Sequence, residues 1–390
     1  MDKTKRKIVE GLFYLYLVLF PFGQLTRMEL ALGGTSIPIH PTDFIVGLIF
    51  ILVLLSKFPK PKVFRHIKNF VYLAGFSFLL SFAVFKTSAV LLGGLYLLRL
   101  GAYSFMFLAA VTLVKQKEKW LGMLMAVCTA IGVFGWFQYF VYPDLRALYA
   151  WGWDDHLLRM VGTFLDPTFT SIFLVFGFLF SIVQFFFKRK KVFAVLAIFF
   201  LISVAFTYTR AAYIALIGGS VAILIALRKV KLSLLIVAAL IAVAVFLPRG
   251  ASEGVKLERL YSVYARLTNY RQTAIIFSKS PLFGVGYNNL CLAKRSYLGF
   301  IDPNSHSCSG SDSGLLLILA TTGVGGFLVF TKMAIEIFRS IGKGNYGLCF
   351  LGASVALGLH GFFVNSYFYP WVMGFMGISL ALALKEKTSG

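Results

Sequence analysis

Apolar runs separated by short polar breaks recur along the whole chain, and their length, about 17–25 residues, is what a helix needs to cross a bilayer. In lipid every backbone N–H and C=O must be paired within the protein, so runs of this kind predict helices. The period-two alternation of a lipid-facing β-barrel is absent. Twelve spans are expected, near residues 8–23, 42–56, 69–85, 89–114, 120–142, 168–187, 192–208, 211–227, 232–247, 313–331, 346–364 and 366–384. The fold class is therefore all-α and polytopic. The basic N-terminus and the run that follows it read as the first span rather than a cleaved leader, because no small-residue cleavage site follows.

The charges decide the orientation. The formal net charge of +23 would point to nucleic acid if it formed one face. Instead, Lys3–Lys7, Lys57–Lys68, Lys115–Lys119, Lys188–Lys191, Arg228–Lys231, Lys332–Lys343 and Lys385–Lys387 hold 24 of the 38 Lys and Arg residues, and they occupy alternate connections. That is the positive-inside pattern, which puts these seven segments and both termini in the cytoplasm and excludes nucleic acid as a partner. The other side carries two hydrophilic connections of any size, about 143–167 and 248–312. The expectation is one membrane domain over 1–390, with 248–312 as a periplasmic helical insertion between spans nine and ten. Within the insertion, Leu257–Ser278 has apolar residues at helical spacing with Arg259, Arg266 and Arg271 interleaved. It reads as an amphipathic helix at the outer membrane surface. Pro281–Asn289, with Gly284 and Gly286, reads as a turn.

No zinc-type Cys/His spacing and no phosphate-cradling G-x-x-x-x-G-K loop occurs. Cys128 and Cys349 lie in apolar runs and read as small core residues. Cys291 and Cys308 share the insertion, where oxidation is allowed, and are candidates for a disulfide.

The remaining polar residues are weighed for chemistry. Arg210 falls between two spans on the outer side, where the charge rule disfavours arginine; it is either an interface anchor or an anion ligand suited to a diphosphate. Arg266 and Arg271 either touch anionic lipid or complete an anion site with Arg210, Arg271 being the reserve. His306 is either a solvated loop residue or a general base. Asp312 opens the next helix and is either its N-cap, a partner for His306, or the base itself. Asp166-Pro167 is a helix-start signal. Arg99, inside the fourth run, is either functional or a hydrogen-bonding element of the bundle.

Four segments resemble the O-antigen ligase and polymerase superfamily. Arg159-Met-Val-Gly-Thr-Phe-Leu-Asp-Pro-Thr is similar to its R-x-x-G-T-F-x-x-P-N element, with Thr168 for Asn. Thr207–Ala212 is similar to T-x-S-R, with Thr209 for Ser. Arg266 through Gly286 is similar to its R…A…P-x-x-G-x-G stretch, and Leu316–Gly326 to its L-x-x-L-A-E-x-G-x-x-G helix. The resemblance spans roughly residues 155–330. Members often place a His just before the last element; here a gapless match puts Asp312 there and His306 six residues upstream.

The resemblance implies a metal-independent glycosyltransferase of the C-type fold, without a cofactor, in the bacterial inner membrane. It would move a glycan from undecaprenyl diphosphate to an acceptor hydroxyl, of lipid A–core or another glycan, on the periplasmic side. Arg210, Arg266 and, through the first motif, Arg159 would serve the diphosphate, and His306 or Asp312 the acceptor. A ligase and a polymerase share this donor chemistry. A transporter of lipid-linked sugars is the rival from another class, but no internal repeat is found and the polar candidates gather at one surface.

Overall fold

The computed structural model describes residues 3–32, 35–232, 237–238, 242, 252–257, 260–299, 308 and 310–385. Among the described residues the chain forms thirteen α-helices and one hairpin. These are α1 (Lys3–Leu19), the hairpin strands β1 (Met28–Leu32) and β2 (Thr35–Ile39), α2 (Pro41–Leu54), α3 (Phe64–Leu80), α4 (Thr87–Leu113), α5 (Lys117–Val141) and α6 (Pro167–Lys188). There follow α7 (Lys191–Phe206), α8 (Arg210–Ala226), α9 (Tyr261–Lys279), α10 (Leu290–Leu298), α11 (Gly314–Ser340), α12 (Asn345–His360) and α13 (Pro370–Ala383). The protein is an all-α membrane protein: five helical segments are long and apolar enough to cross a bilayer, and shorter apolar helices accompany them. α1–α8 and α11–α13 fall on eleven of the twelve expected spans. The ninth, near 232–247, lies almost wholly outside the described residues.

α6 is the axis of the bundle. Asp166 caps it, accepting from the backbone N–H of Thr168 and Phe169, and Pro167 takes the first turn, where its missing N–H costs nothing. Its side chains are buried almost all round, as expected of a helix that is apolar on every face. Phe173, Phe176 and Phe180 pack against Phe375 of α13, Phe176 stacked on it and Phe173 edge-on, and Phe20 and Phe164 close the same aromatic core. Small residues let the other helices approach: a Cβ on Gly177 would meet the Phe200 ring at 2.6 Å, and one on Gly219 of α8 would meet Gly352 O of α12 at 2.9 Å. Small residues serve this purpose in membrane bundles, where no hydrophobic drive operates between helices in lipid.

The basic connections gather at one end. Lys188 pairs with Glu118 there, Lys117 lies over the Tyr346 ring, and Gly342 N donates to Ala383 O at 2.8 Å. The opposite end holds the hairpin, the 142–166 connection, α9 and α10. The amphipathic helix expected over Leu257–Ser278 is α9, beginning instead at Tyr261. Asn269, Thr273 and Ile276, spaced i, i+4, i+7, face inward, while Tyr264 and Leu267 are exposed.

α11 breaks at Gly323, whose φ of 67° no helix contains. The turn expected at Pro281–Asn289 fills the break. Val285 N and Gly286 N donate to the carbonyls of Ala320 and Thr321 (2.9 and 3.1 Å), and Val324 N and Gly325 N donate to those of Pro281 and Leu282 (2.8 and 3.1 Å). Two carbonyls and two N–H groups freed by the break thus regain partners, which is the condition for irregular backbone inside a membrane protein.

Candidate functional site

A cavity of about 590 Å³ lies at the end of the bundle away from the basic connections. Its walls come from the hairpin approach (Gln24, Arg27, His40), the 142–169 connection (Trp153, Asp154, Asp166), α9 (Arg266), the lead into α11 (Ser311, Asp312) and the α12–α13 connection (Asn365, Tyr369). Its size and its mixture of aromatic rings with a few convergent polar groups suit a small-molecule or glycan headgroup.

Arg266 and Asp312 both line this cavity. Asp312 is not the N-cap of α11. That role falls to Ser313, whose Oγ accepts from Leu316 N at 3.4 Å, which leaves the Asp312 carboxylate to the cavity. The backbone of Asp312 is held by Asn269, whose Oδ1 accepts from Asp312 N at 2.9 Å and from Ser311 Oγ at 3.3 Å. Burial pushes the Asp312 carboxyl above the usual carboxylate range; Arg266 and Lys294 pull it part of the way back, and Asp154 adds to the rise. Lys294 is itself fully buried on α10, with Nζ donating to Gly310 O at 3.0 Å. Burial lowers its pKa to about 8, opposed by Asp312.

Arg210 opens α8 and reaches over to the start of α9: Nη1 donates to Leu257 O at 3.1 Å and Nη2 to Ser262 Oγ at 2.8 Å. Ser262 and Arg266 are one helical turn apart and share a face, so Arg210 lies within electrostatic reach of Arg266. Neither Arg210 nor Arg271 lines the cavity itself, and Arg271 is exposed. Five residues past Arg266, it points to another side of the helix. Arg159 is buried, and its Nε and Nη2 both donate to Thr207 O, at 3.1 and 3.0 Å. It therefore ties the first motif to the sharp α7–α8 corner, where Tyr208 has a φ of 49°, and so fixes the backbone that presents Arg210. His306 lies outside the described residues.

Cys291 and Cys308 form a disulfide with Cα atoms 4.6 Å apart, joining α10 to the segment that leads into Asp312. Among the described residues no group of three or more His, Cys, Asp or Glu is placed to hold a metal ion.

Sequence reasoning missed the hairpin side of the cavity. Arg99 Nη2 donates to Asp43 Oδ2 (2.7 Å) and to Pro38 O (2.8 Å), which is the hydrogen-bonding role open to it from the start. Asp43 also accepts from His40 N in the first turn of α2 (3.0 Å). His40 Nε2 meets Gln24 Oε1 at 3.0 Å, and Gln24 Nε2 donates to Tyr369 OH at 3.0 Å. One polar chain thus runs from α4 to α13 beneath the cavity. The only advance sign of it is His40-Pro41-Thr42-Asp43, a helix start with Pro at the first helical position and an acid in the first turn.

Residues 195–331 match the model of the O-antigen ligase family. Over these residues the chain is similar to the O-antigen ligase and polymerase superfamily. The matched stretch contains three of the four motifs, and the Arg159 element precedes it. No curated protein matches the chain. Members of this ligase family are glycosyltransferase-type enzymes, and two of the matched motifs are the segments that interlock at Gly284 and Gly323.

Proposed function

We propose that the protein transfers a glycan from undecaprenyl diphosphate to an acceptor hydroxyl, of lipid A–core or another surface acceptor, without a metal ion. The observation that carries this reading is that two cavities of opposite character adjoin each other. An apolar groove of about 320 Å³ runs between α3, α4, α11, α12 and α13, and it shares Phe368 and Met373 with the polar cavity. A lipid-linked diphosphate needs that pairing: an apolar track for the prenyl chain that ends at a pocket bearing Arg266.

In the proposed reaction the acceptor oxygen attacks the anomeric carbon as the bond from that carbon to the diphosphate oxygen breaks. Negative charge grows on the departing diphosphate, and preplaced guanidinium groups at Arg266 and Arg210 stabilise it more than they stabilise the bound donor. The acceptor's proton passes to Asp312 or His306. The raised affinity of Asp312 for a proton suits a carboxylate to this task. Attack from the face opposite the leaving group would invert the anomeric centre.

The reading places the whole chain in one membrane domain of twelve spans in the bacterial inner membrane, with 248–312 as a periplasmic insertion and the cavity facing the periplasm. Cysteine labelling in intact cells tests this: positions near Lys188 should be protected and positions within 260–299 accessible. The reverse pattern defeats the site assignment. The one-sided cavity favours an enzyme over a transporter. Product analysis with purified protein separates the two enzyme readings: glycan on a lipid A–core acceptor identifies a ligase, and a lengthened polyprenyl-linked glycan identifies a polymerase.

A further inference from the structure

Part of the cavity has no task in the diphosphate chemistry. We propose that Trp153, Asp154, Gln24, Asn365 and Trp371 form a saccharide subsite that takes a pyranose ring; the assignment rests on the glycosyl-transfer reading above.

Three features carry it. The first is an aromatic platform held in place. Leu145 N donates to His156 O at 2.8 Å and Leu158 N to Pro143 O at 2.9 Å, closing the base of the 142–158 connection. Gly152, at φ 82°, ends its inner turn, and Trp153 N is fixed on Leu148 O at 3.2 Å. The indole is thus presented at the cavity wall, half-buried, with the Arg27 guanidinium 5.4 Å from its ring centroid. A pyranose has one face of C–H bonds, and a flat, partly dry ring of this kind is what such a face packs on.

The second feature is a set of planar polar groups at the edge of the platform. Asp154 lines the same cavity and is exposed, and Gln24 and Asp166 border it while also holding His40, Tyr369 and the first turn of α6. Vicinal hydroxyls of a sugar, spaced for paired hydrogen bonds, are matched by carboxylate and carboxamide groups.

The third feature is independent of the other two. Trp371 lines the cavity and is almost fully buried, yet its indole N–H has no hydrogen-bond partner among the described residues; the Oδ1 of Asn365, in the same lining, also has none there. Buried polar atoms in native proteins are paired as a rule, and exceptions call for a ligand or water. An unmet donor and an unmet acceptor in one lining, with His40 Nδ1 a third atom there without a hydrogen-bond partner among the described residues, suit the hydroxyls of a sugar, each of which can both accept and donate. A phosphate would satisfy the donor alone.

The sugar belongs either to the donor or to the acceptor, and the test separates them. Full-length protein in nanodiscs is titrated with methyl glycosides of glucose, galactose, rhamnose and N-acetylglucosamine, followed by saturation-transfer NMR. It is also titrated with farnesyl diphosphate and farnesyl-diphospho-N-acetylglucosamine. At least one methyl glycoside should bind to wild type. Trp371→Phe keeps the ring and removes the donor, and it should weaken that binding about tenfold; Trp153→Ala should weaken it at least as much. Arg266→Lys should lose inorganic pyrophosphate binding while the glycoside Kd stays within about twofold, so failure of the diphosphate reading and failure of the saccharide reading are told apart. If the sugar-bearing farnesyl compound loses its advantage over farnesyl diphosphate in the two Trp variants, the subsite holds the donor sugar. If that advantage survives while glycoside binding falls, it holds the acceptor. Glycoside binding that is absent in wild type, or unchanged in both Trp variants, overturns the proposal.

Discussion

Gly284 and Gly323 sit back to back across the break in α11. A Cβ on Gly284 would lie 2.3 Å from the backbone carbon of Thr321, and one on Gly323 would lie 2.2 Å from the carbonyl oxygen of Leu282. Both also have positive φ, 69° and 67°, where L side chains are strained. Two features of the chain 39 residues apart in sequence therefore meet as one interlock, and the interlock sets Tyr287, Leu317 and Thr321 at the cavity wall. Alanine at either glycine should cost roughly 2–3 kcal/mol from strain alone, with the backbone clash in addition. Gly325→Ala is the control, since its Cβ would approach Leu282 O only to 3.2 Å. Thermal unfolding in detergent should give clearly lower midpoints for the first two variants and a near-normal one for the third. Equal midpoints for all three would refute the interlock.

Arg210→Lys and Arg266→Lys should each lower turnover by about a hundredfold or more, because a lysine cannot make the paired contacts of a guanidinium with phosphate oxygens. Arg271→Ala should retain most activity, since Arg271 is exposed on another side of α9, whereas Arg210 is bonded to Ser262 one turn before Arg266. Arg159→Lys tests a separate point. Its fork holds the α7–α8 corner through Thr207 O, so loss of thermal stability together with activity is expected, whereas Arg210→Lys should lose activity at normal stability. Turnover near wild type in Arg266→Lys would end the diphosphate assignment.

The spans were legible because a bilayer demands length and apolarity, which composition records directly. That the basic connections share one end of the bundle was legible because basic residues mark alternate connections. The phase of α9 was not. Arg266 and Arg271 both fit the motif, and only the inward faces of Asn269, Thr273 and Ile276 decide which arginine meets the cavity. Asp312 was the cap considered on paper, and the backbone geometry at the start of α11 gives that place to Ser313 instead. The hairpin Met28–Ile39 has too few residues and too mixed a pattern to announce itself, with Pro38 in its second strand. The cavity as a whole was illegible for a simpler reason. Its partners are remote: the Gln24–Tyr369 hydrogen bond joins residues 345 apart.

The Cys291–Cys308 bond closes a loop with a sequence separation of 17 residues. On loop-closure arguments such a bond stabilises by roughly 3 kcal/mol, and here it also anchors the segment that enters Asp312. Cys291→Ser/Cys308→Ser should unfold at lower temperature. Alkylation of unreduced, denatured wild-type protein should modify only Cys128 and Cys349. Labelling of all four cysteines without reductant would show that the bond does not form.

The pH profile reports which group takes the acceptor's proton. A base works only when deprotonated, so activity falls as pH drops through its pKa. Asp312 is held above the usual carboxylate range by burial, and Lys294 is one of the charges that pulls it back. Lys294→Met removes a positive charge, so the carboxylate loses a stabilising neighbour and its pKa rises further. If Asp312 is the base, the acidic limb of the rate profile in Lys294→Met must move to higher pH. A His306 base puts the limb near about 6.5 instead, where His306→Ala abolishes transfer and Asp312→Ala does not. Lys294 carries its own signature at the alkaline end. Its pKa in the folded protein, about 8, lies below the unfolded value, so between the two the unfolded chain binds more protons and stability rises with pH. Wild type should therefore gain stability as pH climbs above about 8, a gain that Lys294→Met lacks. A limb that stays in place in Lys294→Met, together with an inactive His306→Ala, would remove Asp312 from the reaction.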